Sequence, residues 1–278
     1  PLGGSPLVLL APGDPVPAGA VAVLVDREGV LPPVDPACYD VLVTTRAAPP
    51  APWVGVPPER LEAQLAAVCQ TAAHSPIATA MLARLLRLGE GLAFDTALEL
   101  ESLAYSALLG GGEFDRWLAG AERKSSGEQS LPPVRYDRDG DAVTLTLASP
   151  GNRNAMTAAM RDALWEALAN VLEDPSLPGL TLRAEGRCFS TGGDLAEFGS
   201  ARDLAAAHVI RTRRSCAGLL HRLGGRATVR LHGACIGSGI EVPAAAARRI
   251  AAPDLVVQLP ELRMGLIPGA GGTVTLAR

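Results

Sequence analysis

A recurring change of hydrophobic period runs through the second half of the chain and narrows the fold sharply. Val143, Leu145 and Leu147 alternate with Thr144 and Thr146, the period-2 pattern of a half-buried strand. Directly afterwards Met156, Met160, Leu164, Leu168 and Val171 keep the spacing of an amphipathic helix, which stops before Pro175. Leu180–Arg183, Thr228–Leu231 and Leu255–Leu259 read as further strands. Strands that alternate with helices predict an α/β core.

The first half is organised differently. Leu7–Leu10, Val21–Val25 and Val41–Thr44 are short apolar runs between prolines and read as strands. Helical spacing follows: Leu61, Leu65 and Val68, then Ile77, Met81 and Leu85, then more loosely Leu98, Leu103 and Leu108. Ser75 before Pro76 reads as an N-cap with proline at the first helical position. Gly110–Gly112 breaks the series before Phe114, Trp117 and Leu118. A hydrophilic stretch begins at Glu122. It divides the chain into an N-terminal segment 1–124, a linker 125–133 and a core 134–278. Pro1–Ser5 lacks the charge and apolar core of a signal peptide and reads as an appended expression scar.

Composition removes several classes of function. A net charge of −4 argues against nucleic acid as the main partner. Arg211, Arg213 and Arg214, interleaved with apolar residues, read as the solvated face of a helix. No apolar stretch approaches the ~20 residues of a membrane span. The five cysteines form no CxxC pair, and their odd number argues against a secreted disulfide framework. They read as reduced thiols of a cytoplasmic protein. The four histidines lack HExxH spacing, so no metal site is expected.

Three glycine-containing segments remain: Gly192-Gly193-Asp194, Gly237-Ser238-Gly239-Ile240-Glu241 and Gly269-Ala270-Gly271-Gly272. None completes a phosphate loop or GxGxxG, and Ile236 stands where a GxSxG elbow around Ser238 needs glycine. Each alone reads as a turn. Together, two glycine-rich turns that enter helices can offer free backbone N–H groups to one developing oxyanion. Glu241 and Glu261 stand in apolar surroundings, where burial raises a carboxyl pKa and suits proton transfer near neutral pH. Either glutamate alone also fits a salt-bridged or solvent-facing residue.

Four blocks in fixed order carry a resemblance: Asn152–Met156, Arg187–Leu195, His232–Glu241 and Leu259–Thr273. Together they resemble the crotonase (enoyl-CoA hydratase/isomerase) superfamily, over about residues 134–278. The resemblance implies a ββα-spiral core that binds acyl thioesters of CoA, or of acyl carrier protein, and stabilises their enolates. It implies oxyanion donors at Gly193 and Ser238 and catalytic carboxyls at Glu241 and Glu261. It places Arg153, Asn154 and Ala155, with Gly193, Asp194, Leu195 and Ala196, along the CoA moiety. It further implies a hydratase/dehydratase of fatty-acid type with no cofactor beyond the CoA of its substrate, in a homo-oligomer, a trimer or hexamer. Isomerisation, thioester hydrolysis, a secondary-metabolism acyl-thioester reaction or a catalytically idle assembly subunit are the alternatives.

The chain departs from the family pattern after Glu241, where Val242-Pro243-Ala244-Ala245-Ala246-Ala247 replaces the common Leu-Ala-Leu-Ala-Cys-Asp. It also ends soon after Gly271-Gly272-Thr273, where relatives usually continue into helices. Glu99–Lys124, with the Ser75-Pro76-Ile77 helix before it, is similar to those missing helices. A permutation-like arrangement, or a truncated core with an unrelated helical segment, is expected.

Overall fold

The computed structural model describes residues 6–122 and 127–277. Pro1–Ser5, the end of the first segment at 123–124, the start of the linker at 125–126 and Arg278 lie outside the described residues.

The N-terminal strands β1 (Leu7–Leu10), β2 (Val21–Asp26), β3 (Val41–Thr44) and β4 (Trp53–Gly55) form a parallel sheet in chain order. Val21, Val23 and Val25 of β2 bury one face of this sheet against Leu61, Leu65 and Ala72 of α1 (Pro58–His74). The helices α2 (Pro76–Gly89), α3 (Phe94–Leu109) and α4 (Gly112–Gly120) follow.

Ser75 stands at the N-cap position of α2 with Pro76 in its first turn, as the sequence suggests, but the expected capping bond comes from elsewhere. The Ser75 side chain makes no capping bond, and its buried hydroxyl has no partner. Glu113 of α4 takes the role, accepting the Ile77 and Ala78 amides at 2.7 and 3.0 Å. A carboxylate at a helix N-terminus satisfies orphan donors and meets the positive end of the helix dipole. The α3 stripe is also narrower than its spacing predicts. Leu98 and Leu108 are buried, but Leu103 is 53% exposed.

In the second half β5 (Val134–Asp139) and β6 (Ala142–Leu147) make an antiparallel pair, followed by α5 (Ala158–Glu173), β7 (Gly179–Ala184), α6 (Leu204–Arg213) and α7 (Cys216–Leu223). Then come β8 (Ala227–Leu231), β9 (Ala234–Ile236), α8 (Ser238–Glu241), β10 (Arg248–Ala251), β11 (Val256–Gln258) and α9 (Gly272–Thr275). The main sheet has the order β10-β8-β7-β6-β5, and β9 pairs with β11 in a separate two-stranded sheet. Leu145, Leu147, Leu180, Leu182 and Val229 meet Met160, Leu164 and Leu168 of α5 in the principal core. The α/β architecture expected from the alternating periods is therefore present. Cys188-Phe189-Ser190, strand-like by composition, joins β9 only through a bridge between Ser190 and Cys235.

Helices α2–α4 pack onto the 261–275 segment. Phe114, Leu108, Leu85 and Ala78 share a core with Met264, Leu266 and Ile267, and Ala97 and Leu98 meet Val274. Arg211 is accordingly no solvated arginine: its guanidinium bonds to the Ser102 and Ser106 hydroxyls and lies 4.6 Å from the Tyr105 ring centre. Among the described residues no helix is long and apolar enough to cross a membrane.

Candidate active site

The site is built where three short connections converge. Gly237 precedes α8 with φ +50°, and its amide bonds to the Gln258 carbonyl at 2.9 Å, tying the start of α8 to β11. A Cβ there would lie 2.9 Å from Glu261 Oε1, so both conformation and space call for glycine. At Gly239 a Cβ would come 2.4 Å from the Ser190 carbonyl, so α8 approaches the 188–193 segment closely only through glycine. That segment is held in turn by the Ser190 hydroxyl, which donates to the Asn154 carbonyl at 2.7 Å, and by the Met156 amide on the Gly192 carbonyl.

Gly193 and Ser238 line one cavity of about 500 Å³ together with Asp194, Leu195, Glu241 and Glu261. Neither the Gly193 nor the Ser238 amide donates a hydrogen bond among the described residues. Ser238 opens a helix, as expected from the glycine-rich turns, whereas Gly192-Gly193 leads into turns instead. The remaining expected substrate residues are placed apart. Arg153, Asn154, Ala155 and Ala196 do not line this cavity. Asn154 is fully buried and its side chain is committed to the backbone, bonding Ser149, Glu185 and Cys188. It builds the loop under the cavity.

The two expected carboxyls are buried side by side, with different partners. Glu241 Oε2 accepts the Ala270 and Gly272 amides at 2.8 and 3.0 Å, and the Thr275 hydroxyl fixes its carbonyl at 2.9 Å. Burial pushes its pKa up, and these amides oppose the rise. Glu261 has an oxygen with no partner. Burial, then the charge of Glu241, push it up to about 8. The two carboxyls lie within hydrogen-bonding reach, with Glu261 the better holder of the proton. Such a pair can take a proton from one atom and give one to another in the cavity that Gly193 and Ser238 also line.

Sequence reasoning missed a third acid. Glu101 of α3 is buried and accepts the Gly271 amide, the Thr273 amide and the Thr273 hydroxyl at 2.7, 2.8 and 2.6 Å. Burial, then the charge of Glu241, push it up to about 8. Tyr105, whose ring packs on Gly269, is pushed up by burial as well. A signal was available: Glu101 and Tyr105 fall between Leu98 and Leu108 at helical spacing, so an acid sits on the apolar stripe. No group of three or more His, Cys, Asp or Glu among the described residues could hold a metal ion.

Unengaged amides that share a cavity with two buried acids form an arrangement able to stabilise developing negative charge. Residues 142–278 match the model of a family described as enoyl-CoA hydratase/isomerase. A Bacillus subtilis (strain 168) protein described as a probable enoyl-CoA hydratase is 32% identical over 139 residues, 49% of this chain and 53% of its own length. The chain thus spans about half the length of that curated relative. The enoyl-CoA hydratase of Thermoplasma volcanium GSS1 is 29% identical, with a TM-score of 0.46, over 52% of this chain and 58% of that one. That of Mycobacterium smegmatis is 31% identical, with a TM-score of 0.47, over 53% and 58%. Through residues 142–278 the chain belongs to the enoyl-CoA hydratase/isomerase, or crotonase, superfamily.

Proposed function

We propose that this chain adds water to a trans-2-enoyl thioester of CoA or of acyl carrier protein, and catalyses the reverse dehydration. The observation that carries the reading is the pairing of Glu241 and Glu261, buried together beside the unengaged amides of Gly193 and Ser238. The thioester oxygen would lie between those two amides. Charge moving onto it would strengthen both hydrogen bonds in the transition state more than in the ground state.

The partners of the two acids divide their roles. Glu241, stabilised as a carboxylate by the Ala270 and Gly272 amides, takes a proton from the attacking water. Glu261, raised to about 8 and lacking a partner on one oxygen, holds the proton that C2 of the enolate receives. Dehydration runs the same transfers backwards. Helices α2–α4 pack against the 261–275 side of the site, which supports the permutation-like reading in which they do the work of the family's C-terminal helices.

Hydration of crotonyl-CoA, followed as loss of enoyl-thioester absorbance, tests the reading. The wild-type chain is expected to turn over, and Glu261→Gln to fall by at least about 100-fold in kcat. A wild-type chain inert on every enoyl thioester overturns it in favour of another crotonase reaction or an idle subunit, and wild-type rates in Glu261→Gln reject the role of that residue.

A further inference from the structure

The chemistry above leaves Glu101 without a part, although a buried acid with three hydrogen bonds is costly to build. Its partners lie on the loop that holds Glu241. Along 270–273 the amides alternate: Ala270 and Gly272 donate to Glu241, while Gly271 and Thr273 donate to Glu101. The loop is thus clamped between two carboxyls, one on α8 and one on α3. The Thr273 hydroxyl adds a third bond to Glu101, and a Cβ at Gly272 would meet Glu241 Cγ at 2.8 Å. The loop is therefore packed closely against the Glu241 side chain. On the far side α3 is seated by Ala97 and Leu98 against Val274.

We infer that Glu101 is a positioning residue, which through the 270–273 loop fixes Glu241 where it takes the proton from the attacking water. The inference rests on the hydratase reading. It makes the N-terminal helix α3 part of the catalytic apparatus although 140 positions separate Glu101 from Glu241. Glu101 also shares an electrostatic field with its neighbours. Glu241 from α8 and Glu261 from the 261–264 turn carry like charge, Arg211 from α6 carries the opposite charge, and Tyr105 on α3 itself faces the same acids. The charge of Glu101 raises the proton affinity of Glu261.

Glu101→Gln keeps the shape but removes the charge, and its amide NH2 cannot accept from a backbone N–H. In a folded variant, kcat for crotonyl-CoA hydration is expected to fall about 10-fold or more while KM stays within about 3-fold. Carboxyl-carbon NMR titration is expected to show Glu261 losing its proton at lower pH, by roughly half a unit or more. A purely structural role lowers the melting temperature without moving that titration. An unmoved titration with wild-type kcat overturns the inference.

Where Glu101→Gln does not fold, Thr273→Val removes only the hydroxyl donor. It is expected to move the Glu101 titration upward and lower kcat a few-fold, and no change in either overturns the inference. A wild-type chain inert on enoyl thioesters rejects the hydratase reading separately. The effect of Glu101→Gln on the Glu241 and Glu261 titrations then decides the coupling without turnover.

Discussion

At the scale of single residues, the site depends on backbone that only glycine can form. Gly237 combines φ +50° with a neighbour, Glu261 Oε1, that a Cβ would meet at 2.9 Å. Gly237→Ala would add backbone strain and push Oε1 of Glu261 away from Glu241. We expect a stability loss of about 1–3 kcal/mol in urea unfolding, larger than an alanine costs at an open turn such as Gly140. Equal losses at the two positions would reject the steric argument. The block around Gly237 was legible in the sequence because its glycines and Glu241 lie within a few residues of one another. Glu101 was not, because its partners Gly271 and Thr273 are 170 and 172 positions away.

At the scale of elements, capping decides how α2 begins, and the cap comes from another helix. Glu113 of α4 accepts the Ile77 and Ala78 amides, so α4 and α2 are joined by a buried carboxylate across 36 and 35 positions. Glu113→Ala would orphan both donors and is expected to cost about 1–3 kcal/mol by chemical denaturation. Ser75→Ala, removing a hydroxyl without a partner, is expected to cost less. The reverse ranking would restore Ser75 as the cap. A local reading chose Ser75 because serine before proline fits the statistics of helix starts. It had no means to see a competitor on a different helix.

At the scale of the molecule, burying several acids together makes folding depend on pH. Glu101 and Glu261 are each pushed from an ordinary 4.5 up to about 8. An acid whose pKa is raised on folding binds more protons folded than unfolded between those values. Its stabilising contribution is complete below about 4.5 and is lost as pH rises towards about 8. The melting temperature of the wild-type chain is therefore expected to fall between pH 5 and pH 8. The fall should shrink by several degrees in Glu261→Gln, given roughly 2–4 °C per kcal/mol for a chain of this size. Scanning calorimetry across that range checks it, and equal slopes in the two proteins would contradict the burial of a neutral Glu261.

The sequence by itself determined the α/β class and, in the second half, the strand at 143–147, the helix after it and the strands near Leu180, Thr228 and Val256, and it singled out Glu241 and Glu261 as candidates. These are written in local period and in short contiguous blocks, and hydrophobic period alone selects strand or helix. Only the tertiary structure decided that α3 brings Glu101 onto the 270–273 loop, that Arg211 is drawn from solvent onto Tyr105, and that Asn154 supports the loop rather than lining the cavity. Each of these depends on which surfaces meet across long separations. A hydrogen bond between positions 101 and 271 leaves no mark on the residues beside either one. What residue 101 does show locally is an acid on an apolar stripe, and burial beside Glu241 is what turns that oddity into a charge with consequences for the site.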